Sequence, residues 1–155
     1  MLPLCLASML AAGLLLAPAA QAAETPAQHC RRVGTDDATR PIPASLVPAA
    51  KRLFGLEAPD DAVRRTTVFR CMGGAVLICT VGANLNCGKA NTDRALASAR
   101  RYCREHGDAP FIPAFVTGHD TAYRWQCRGG EAVAGEPAEA LDARGFVARL
   151  WKPAE

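Results

Sequence analysis

Cysteines constrain the fold of this chain more than any other feature. The sequence has 155 residues and seven cysteines, of which only Cys5 lies in an apolar N-terminal segment. The others are Cys30, Cys71, Cys79, Cys87, Cys103 and Cys127. An even number of cysteines in an exported chain is typical of structural disulfides. We therefore expect three bridges, whose pairing remains open at this level.

The N-terminal segment predicts export. Residues 2–18 carry no charged side chain, and Ala20-Gln21-Ala22 follows them as a small-x-small site of the kind that signal peptidase cleaves. A transmembrane anchor needs about 20 consecutive apolar residues, and Pro18 and Gln21 interrupt the run too early. We interpret residues 1–22 as a signal peptide. The cleaved protein is expected in the periplasm or secreted, without stable membrane insertion.

Composition and charge exclude several classes of protein. The chain is 50% hydrophobic and 21% charged, an ordinary balance for a globular domain. Its formal net charge of +3 is not clustered, which argues against nucleic acid as a partner. The cysteines and histidines lack the close ligand pairs of zinc sites, so we expect neither a metal nor another cofactor.

The pattern of elements predicts an α+β fold. Residues 23–41 show no periodicity and are interpreted as an extended lead-in, pinned by Cys30. Residues 42–155 are expected to form a single α+β domain. A short N-terminal helix should start near Ser45 and end at Gly55.

A β-hairpin is predicted from residue 66 onwards, where the sequence pattern changes to a period of two residues. Two runs rich in β-branched residues, 66–71 and 75–81, flank the turn Gly73-Gly74. This register places Cys71 and Cys79 on opposite faces of the hairpin, so they should not bond to each other.

The main helix is predicted over residues 92–106, capped by Thr92 and packed on an antiparallel sheet. Its length separates Cys87 from Cys103 by more than a disulfide spans. We therefore expect Cys103, on the apolar face, to pair with Cys79 or Cys127.

A second hairpin is expected from residues 111–117 and 121–128, around Gly118-His119-Asp120. Alternation within it predicts that Tyr123, Trp125 and Cys127 share the buried face. The two tryptophans are interpreted as core rather than as a sugar-binding groove. A last strand is expected over residues 146–151, after a turn at 142–145.

Two loops contain more polar groups than a turn requires. Asn84, Asn86 and Lys89 precede the main helix, where they could form a polar or anion-binding edge. His119 and Asp120 occupy the tip of the second predicted hairpin. We expect the two loops to form one ligand-binding surface. No residue is assigned a catalytic role, because neither loop shows a nucleophile with a base.

Three stretches carry a resemblance to known proteins. Residues 81–90 (VGANLNCGKA), 117–127 (TGHDTAYRWQC) and 142–146 (DARGF) resemble small exported cysteine-rich proteins of Gram-negative bacteria. That resemblance implies no activity. The Gly118-x-x-x-x-Tyr123 turn, with a cysteine near the first strand, is more distantly similar to periplasmic lysozyme inhibitors of the membrane-bound C-type class.

The sequence thus favours a disulfide-stabilised binding or inhibitory module of the bacterial envelope. Its partner would be an envelope protein or a polar or anionic ligand. One alternative is a small envelope hydrolase using His119, and another is a purely structural envelope protein.

Overall fold

The computed structural model describes residues 23–82 and 86–155. The expected signal peptide therefore lies outside the described residues. Helices and antiparallel sheets joined by three disulfides make up the described part. The prediction of a disulfide-stapled α+β fold is confirmed.

The expected extended lead-in is wrong, because residues 23–41 contain a helix and a strand. Helix α1 spans Pro26–Val33 and begins at a capping box in which Thr25 and Gln28 each bond the other's backbone amide. Strand β1 spans Asp36–Pro41 and pairs antiparallel with the strand Thr67–Met72. Thr25-Pro26 is a helix-start signal, because proline is favoured in the first turn of a helix.

Two further helices cover one face of the sheet. A 3-10 turn, Ala44–Leu46, leads into α2, Val47–Phe54, which ends at Gly55. No side chain caps α2, so the cap expected at Ser45 is absent and the α-helix starts two residues later. Helix α3 spans Asp60–Thr66, with two aspartates in its first turn.

The first hairpin is confirmed in position and register. Strands β2, Thr67–Met72, and β3, Ala75–Thr80, pair antiparallel, with Cys71 opposite Val76 and Cys79 opposite Val68. With β6, Lys152–Pro153, they complete a sheet of order β1-β2-β3-β6.

Helix α4 spans Ala97–His106 and starts later than predicted. The Asn91 side chain accepts the amide of Asp93 at 2.9 Å, and the Asp93 side chain accepts that of Ala95 at 2.8 Å. Such local bonds compete with a helical turn, so they move the first turn away from Thr92.

The second hairpin is displaced along the chain. Strand β4, Tyr123–Arg128, pairs with β5, Glu131–Pro137, across a turn at Gly129-Gly130 with φ values of 58° and 80°. Positive φ at both central residues is the hairpin geometry that glycine permits. Residues 114–117, expected in a strand, form the short helix α5, Ala114–Thr117.

The expected last strand over residues 146–151 is also wrong. The turn at 142–145 is present, since the amide of Gly145 donates to the carbonyl oxygen of Asp142 at 3.0 Å. Phe146 and Val147 form isolated β-bridges with Lys89 and Leu141, a 3-10 turn, Ala148–Leu150, follows, and strand β6 comes after it.

Each disulfide lies in a separate hydrophobic cluster of the described chain. Cys30–Cys71 lies between the first sheet and α1 to α3, and Cys79–Cys87 lies on the opposite face of that sheet. Cys103–Cys127 joins α4 to β4. The expectations for Cys71, Cys79, Cys87 and Cys103 are confirmed. Because β2 and β3 alternate faces, the first hairpin contributes to two of the clusters.

Candidate functional site

The structure brings the two predicted loops into direct contact. The amide of Asn91 donates to the carbonyl oxygen of Asp120 at 2.7 Å, and the amide of Ala122 donates to the carbonyl oxygen of Asn91 at 2.8 Å. These bonds join the end of the first loop to the 118–121 tip. Residues of both loops line one concavity.

A small concavity lies at this junction, which we call the polar pocket. Its volume is about 80 Å³. Asn86, Lys89, His119 and Asp120 all line it, whereas Asn84 lies outside the described residues. The other lining residues are Gly88, Ala90, Thr121, Glu139, Val147, Arg149 and Leu150. Contact with a ligand stays a prediction for each of these residues.

Asn86 is positioned by its own turn and by the adjacent disulfide. Its Oδ1 accepts the amide of Gly88 at 2.7 Å, and the next residue, Cys87, is bonded to Cys79 on β3. The backbone at this edge of the pocket is therefore attached to the first sheet, although the Asn86 side chain is exposed.

The positive charge of Lys89 is already paired. Its Nζ lies 2.7 Å from Oδ2 of Asp37, and Arg144 bonds both oxygens of the same carboxylate at 2.9 and 2.7 Å. Hydrogen bonds from Arg144 and then Lys89 hold the pKa of the Asp37 carboxyl far below its usual range. The Asp37 carboxylate therefore neutralises the positive charge of Lys89 at the expected anion-binding edge.

His119 and Asp120 do not form an acid–base pair in the part of the chain that the structure describes. His119 is exposed and makes no hydrogen bond there with Asp120. A Cβ at Gly118, whose φ is +89°, would come within 2.5 Å of the Asp120 Oδ1. The Thr121 hydroxyl accepts the indole N–H of Trp125 at 2.8 Å. The contacts at this tip serve to shape the loop.

Glu139 and Arg149 form the far wall, and neither is predicted from the sequence. Arg149 donates to the two oxygens of Glu139 at 2.8 and 2.6 Å, and this hydrogen bonding lowers the pKa of the Glu139 carboxyl. No spacing in the sequence brings these residues to the pocket, because they belong to irregular segments.

A buried arginine holds the segment that carries Arg149. Arg70, in β2, is 0% exposed, and its guanidinium carbon lies 4.2 Å from the ring centre of Phe146 and 4.6 Å from that of Trp151. Its Nη2 is paired with the Asp142 carboxylate. Cation–π contact and the ion pair together tie residues 142–151 to the sheet.

A larger concavity lies beside the polar pocket, and Thr121 lines both. This aromatic groove has a volume of about 520 Å³ and is lined by segments 110–117 and 121–126 and by Gly135 and Glu136 of β5. Trp125 is 4% and Trp151 is 6% exposed, which confirms that the tryptophans are core residues. Tyr123 and Phe111 supply the accessible rings at the groove.

The chain matches no family model, no curated protein and no solved structure. In residues 23–82 and 86–155, no helix is long and apolar enough to cross a membrane. The same residues contain no cluster of three or more side chains suited to holding a metal ion.

Proposed function

We propose that this protein is an exported binding or inhibitory module of the Gram-negative envelope, in the periplasm or secreted. It recognises a partner protein by accepting a compact polar group of that partner into the polar pocket. The observation that carries the proposal is the convergence of residues 86, 88–90, 119–121, 139, 147, 149 and 150 on one concavity. Ligand sites are typically concave, with a few convergent polar groups.

The size and charge of the pocket support this class of ligand. A volume of about 80 Å³ is well below the roughly 300–1,000 Å³ of pockets for drug-sized ligands, so it suits a single side-chain amide or carboxylate. The charges of Lys89 and Arg149 are each matched by an internal carboxylate. A polar group held by hydrogen bonds therefore fits better than a multiply charged anion.

Export is supported by the cysteines. The six cysteines after Cys5 are all paired in disulfides, which persist in oxidising compartments.

Comparative capture from a periplasmic extract tests the proposal. The baits are the wild type, His119→Ala, Asn86→Ala, and the control His106→Ala, which makes the same histidine change on α4. We expect a protein that wild type and control retain and that both pocket variants lose. His119→Ala should keep its unfolding free energy within about 0.5 kcal/mol of wild type, as surface substitutions usually do. Asn86→Ala and His106→Ala each remove one local hydrogen bond and should lose about 0.5–1.5 kcal/mol.

Two outcomes would count against binding through the pocket. The first is a set of captured proteins identical for all four baits. The second is early melting of the two pocket variants with no other measurable loss, which would make the loops structural connectors.

A further inference from the structure

The charged side chains that line the polar pocket balance one another. Lys89 and Arg149 are positive, and Asp120 and Glu139 are negative. A charged group that leaves water is strongly destabilised unless an opposite charge compensates it. An anionic ligand would meet Asp120 and Glu139, and a cationic ligand would meet Lys89 and Arg149. The electrostatics of the pocket therefore favour a neutral polar group.

Three of these four charges already have a partner within the protein. Lys89 is paired with Asp37, and Arg149 is paired with Glu139. Asp120 differs, because among the described residues its carboxylate takes part in no ion pair and accepts no hydrogen bond. The Asp120 carboxylate is therefore an unused hydrogen-bond acceptor in the lining of the pocket.

Asn86 supplies an unused donor to the same pocket. Its Oδ1 accepts the amide of Gly88 at 2.7 Å, which orients the side-chain carboxamide. Its Nδ2 carries two N–H donors, and neither finds an acceptor within residues 23–82 and 86–155. Because Asn86 and Asp120 belong to different loops, the donor and the acceptor lie on separate segments of the lining.

The backbone holds these two segments in place. The amide of Asn91, at the end of the first loop, donates to the carbonyl oxygen of Asp120 at 2.7 Å. Cys87, which follows Asn86, is bonded to Cys79 on β3. Little ordering is then needed when a ligand binds, so the fixed donor and acceptor can discriminate between ligands.

We infer that the group accepted by the polar pocket is a primary carboxamide, the side chain of an asparagine or glutamine of the partner. Its carbonyl oxygen accepts from Nδ2 of Asn86, and its amino group donates to the Asp120 carboxylate. A carboxamide is neutral and has its donor and acceptor on separate atoms, whereas a hydroxyl has both on one oxygen. This inference rests on the proposed binding function and names the ligand of that site.

A titration followed by nuclear magnetic resonance tests the inference with four matched probes. The probes are propionamide, propionate, n-propylamine and n-propanol, added to ¹⁵N-labelled protein purified from the periplasmic fraction. Propionamide should shift the backbone amide signals of Gly88 and Asp120. Its affinity should exceed that of each other probe at least about 10-fold, because the others leave a charge or a polar group of the pocket unmatched.

Removing the charge of Asp120 should change the preference of the pocket. Asp120→Asn turns an acceptor into a group that also donates, so the ratio of propionate to propionamide affinity should rise at least about 10-fold. Asp61→Asn is the matched control, because Asp61 is exposed on α3 and lies outside the pocket, and it should leave the ratio unchanged.

The results that overturn the inference differ from those that overturn the proposed function. Propionate, n-propylamine or n-propanol binding as tightly as propionamide overturns the carboxamide, as does the absence of a shift with all four probes. An affinity ratio unaffected by Asp120→Asn overturns it as well. In each case the binding function still stands if capture from the periplasmic extract depends on Asn86 and His119.

Discussion

Replacing Asp142 by asparagine should destabilise the protein severely. The variant keeps Oδ1, which accepts the amides of Arg144 at 2.8 Å and Phe146 at 3.1 Å, so the turn itself is preserved. What it removes is the negative charge paired with Arg70, whose side chain is fully buried. A buried guanidinium that has lost its counter-charge strongly destabilises the folded state.

The size of the effect follows from what remains around Arg70. Breaking a buried pair by removing one partner costs about 3–5 kcal/mol. The contacts of the guanidinium with the Phe146 and Trp151 rings survive the substitution, so we expect the lower end, about 3 kcal/mol. A domain of this size is stable by only about 5–15 kcal/mol.

The reverse variant, Arg70→Met, should cost less, about 1–2 kcal/mol. Methionine fills the space between the two rings and makes favourable sulfur–aromatic contacts. The carboxylate left behind keeps its two amide donors, and its side chain is 12% exposed, so it stays partly hydrated. Asp142→Asn should therefore lose more unfolding free energy than Arg70→Met, although both break the same ion pair.

Urea unfolding with the disulfides intact, followed by tryptophan fluorescence, measures these free energies. Asp60→Asn is the matched control, because it makes the same change in an ion pair with Lys51 whose carboxylate is 71% exposed, and it should have a much smaller effect. The reasoning fails if Asp142→Asn lies within about 1 kcal/mol of wild type, or if Arg70→Met proves the more damaging substitution.

Two further predictions concern the disulfides and acid. The bridges have sequence separations of 41, 24 and 8, and loop-closure entropy gives about 4, 3.5 and 2.5 kcal/mol respectively. Double Cys→Ser variants should lose stability in that order, and equal losses in urea unfolding would contradict the entropic account. Arg32 lowers the pKa of Glu24 to about 2, and the pKa of Asp37 is also lowered. Because their folded-state pKa values are depressed, stability should be complete above about pH 5 and fall towards pH 2. Melting temperatures measured across this range should fall less in Glu24→Gln, and an equal fall would contradict the assignment.

The first hairpin could be predicted from the sequence because its information is local. Gly73-Gly74 supplies the turn, and the alternation on either side sets the register. Once the register was known, the opposite faces of Cys71 and Cys79 followed. The hairpin register excludes a Cys71–Cys79 disulfide, and the length of the main helix excludes Cys87–Cys103. Cys79 and Cys127 are then the partners expected for Cys103.

The second hairpin could not be placed, because two glycine turns competed for it. Gly118 and the pair Gly129-Gly130 both follow β-branched or aromatic residues. Hydrogen bonds from Asn91 and Ala122 hold the 118–121 tip against the other loop, and that contact is not local in sequence. The turn at Gly129-Gly130 therefore forms the hairpin.

Some residues that line the polar pocket could be predicted from the sequence and others could not. The loop residues were recognised by their excess of polar groups, and their meeting at one pocket was expected. The position of Arg149 depends on the ion pair between Arg70 and Asp142, which holds the segment that contains Arg149. Arg70 and Asp142 are 72 residues apart along the chain, so local sequence does not predict this position. An arginine within the apolar run 68–71 was a signal of a buried ion pair.

Site-specific photo-cross-linking in the periplasm tests binding through the polar pocket most directly. The photo-reactive residue p-benzoylphenylalanine is placed at position 119, with position 106 on α4 as the matched control. We predict a light-dependent covalent adduct with one partner protein at position 119 that is absent at position 106 and weakened by Asn86→Ala. Equal adducts at the two positions, or none at position 119, would contradict the account.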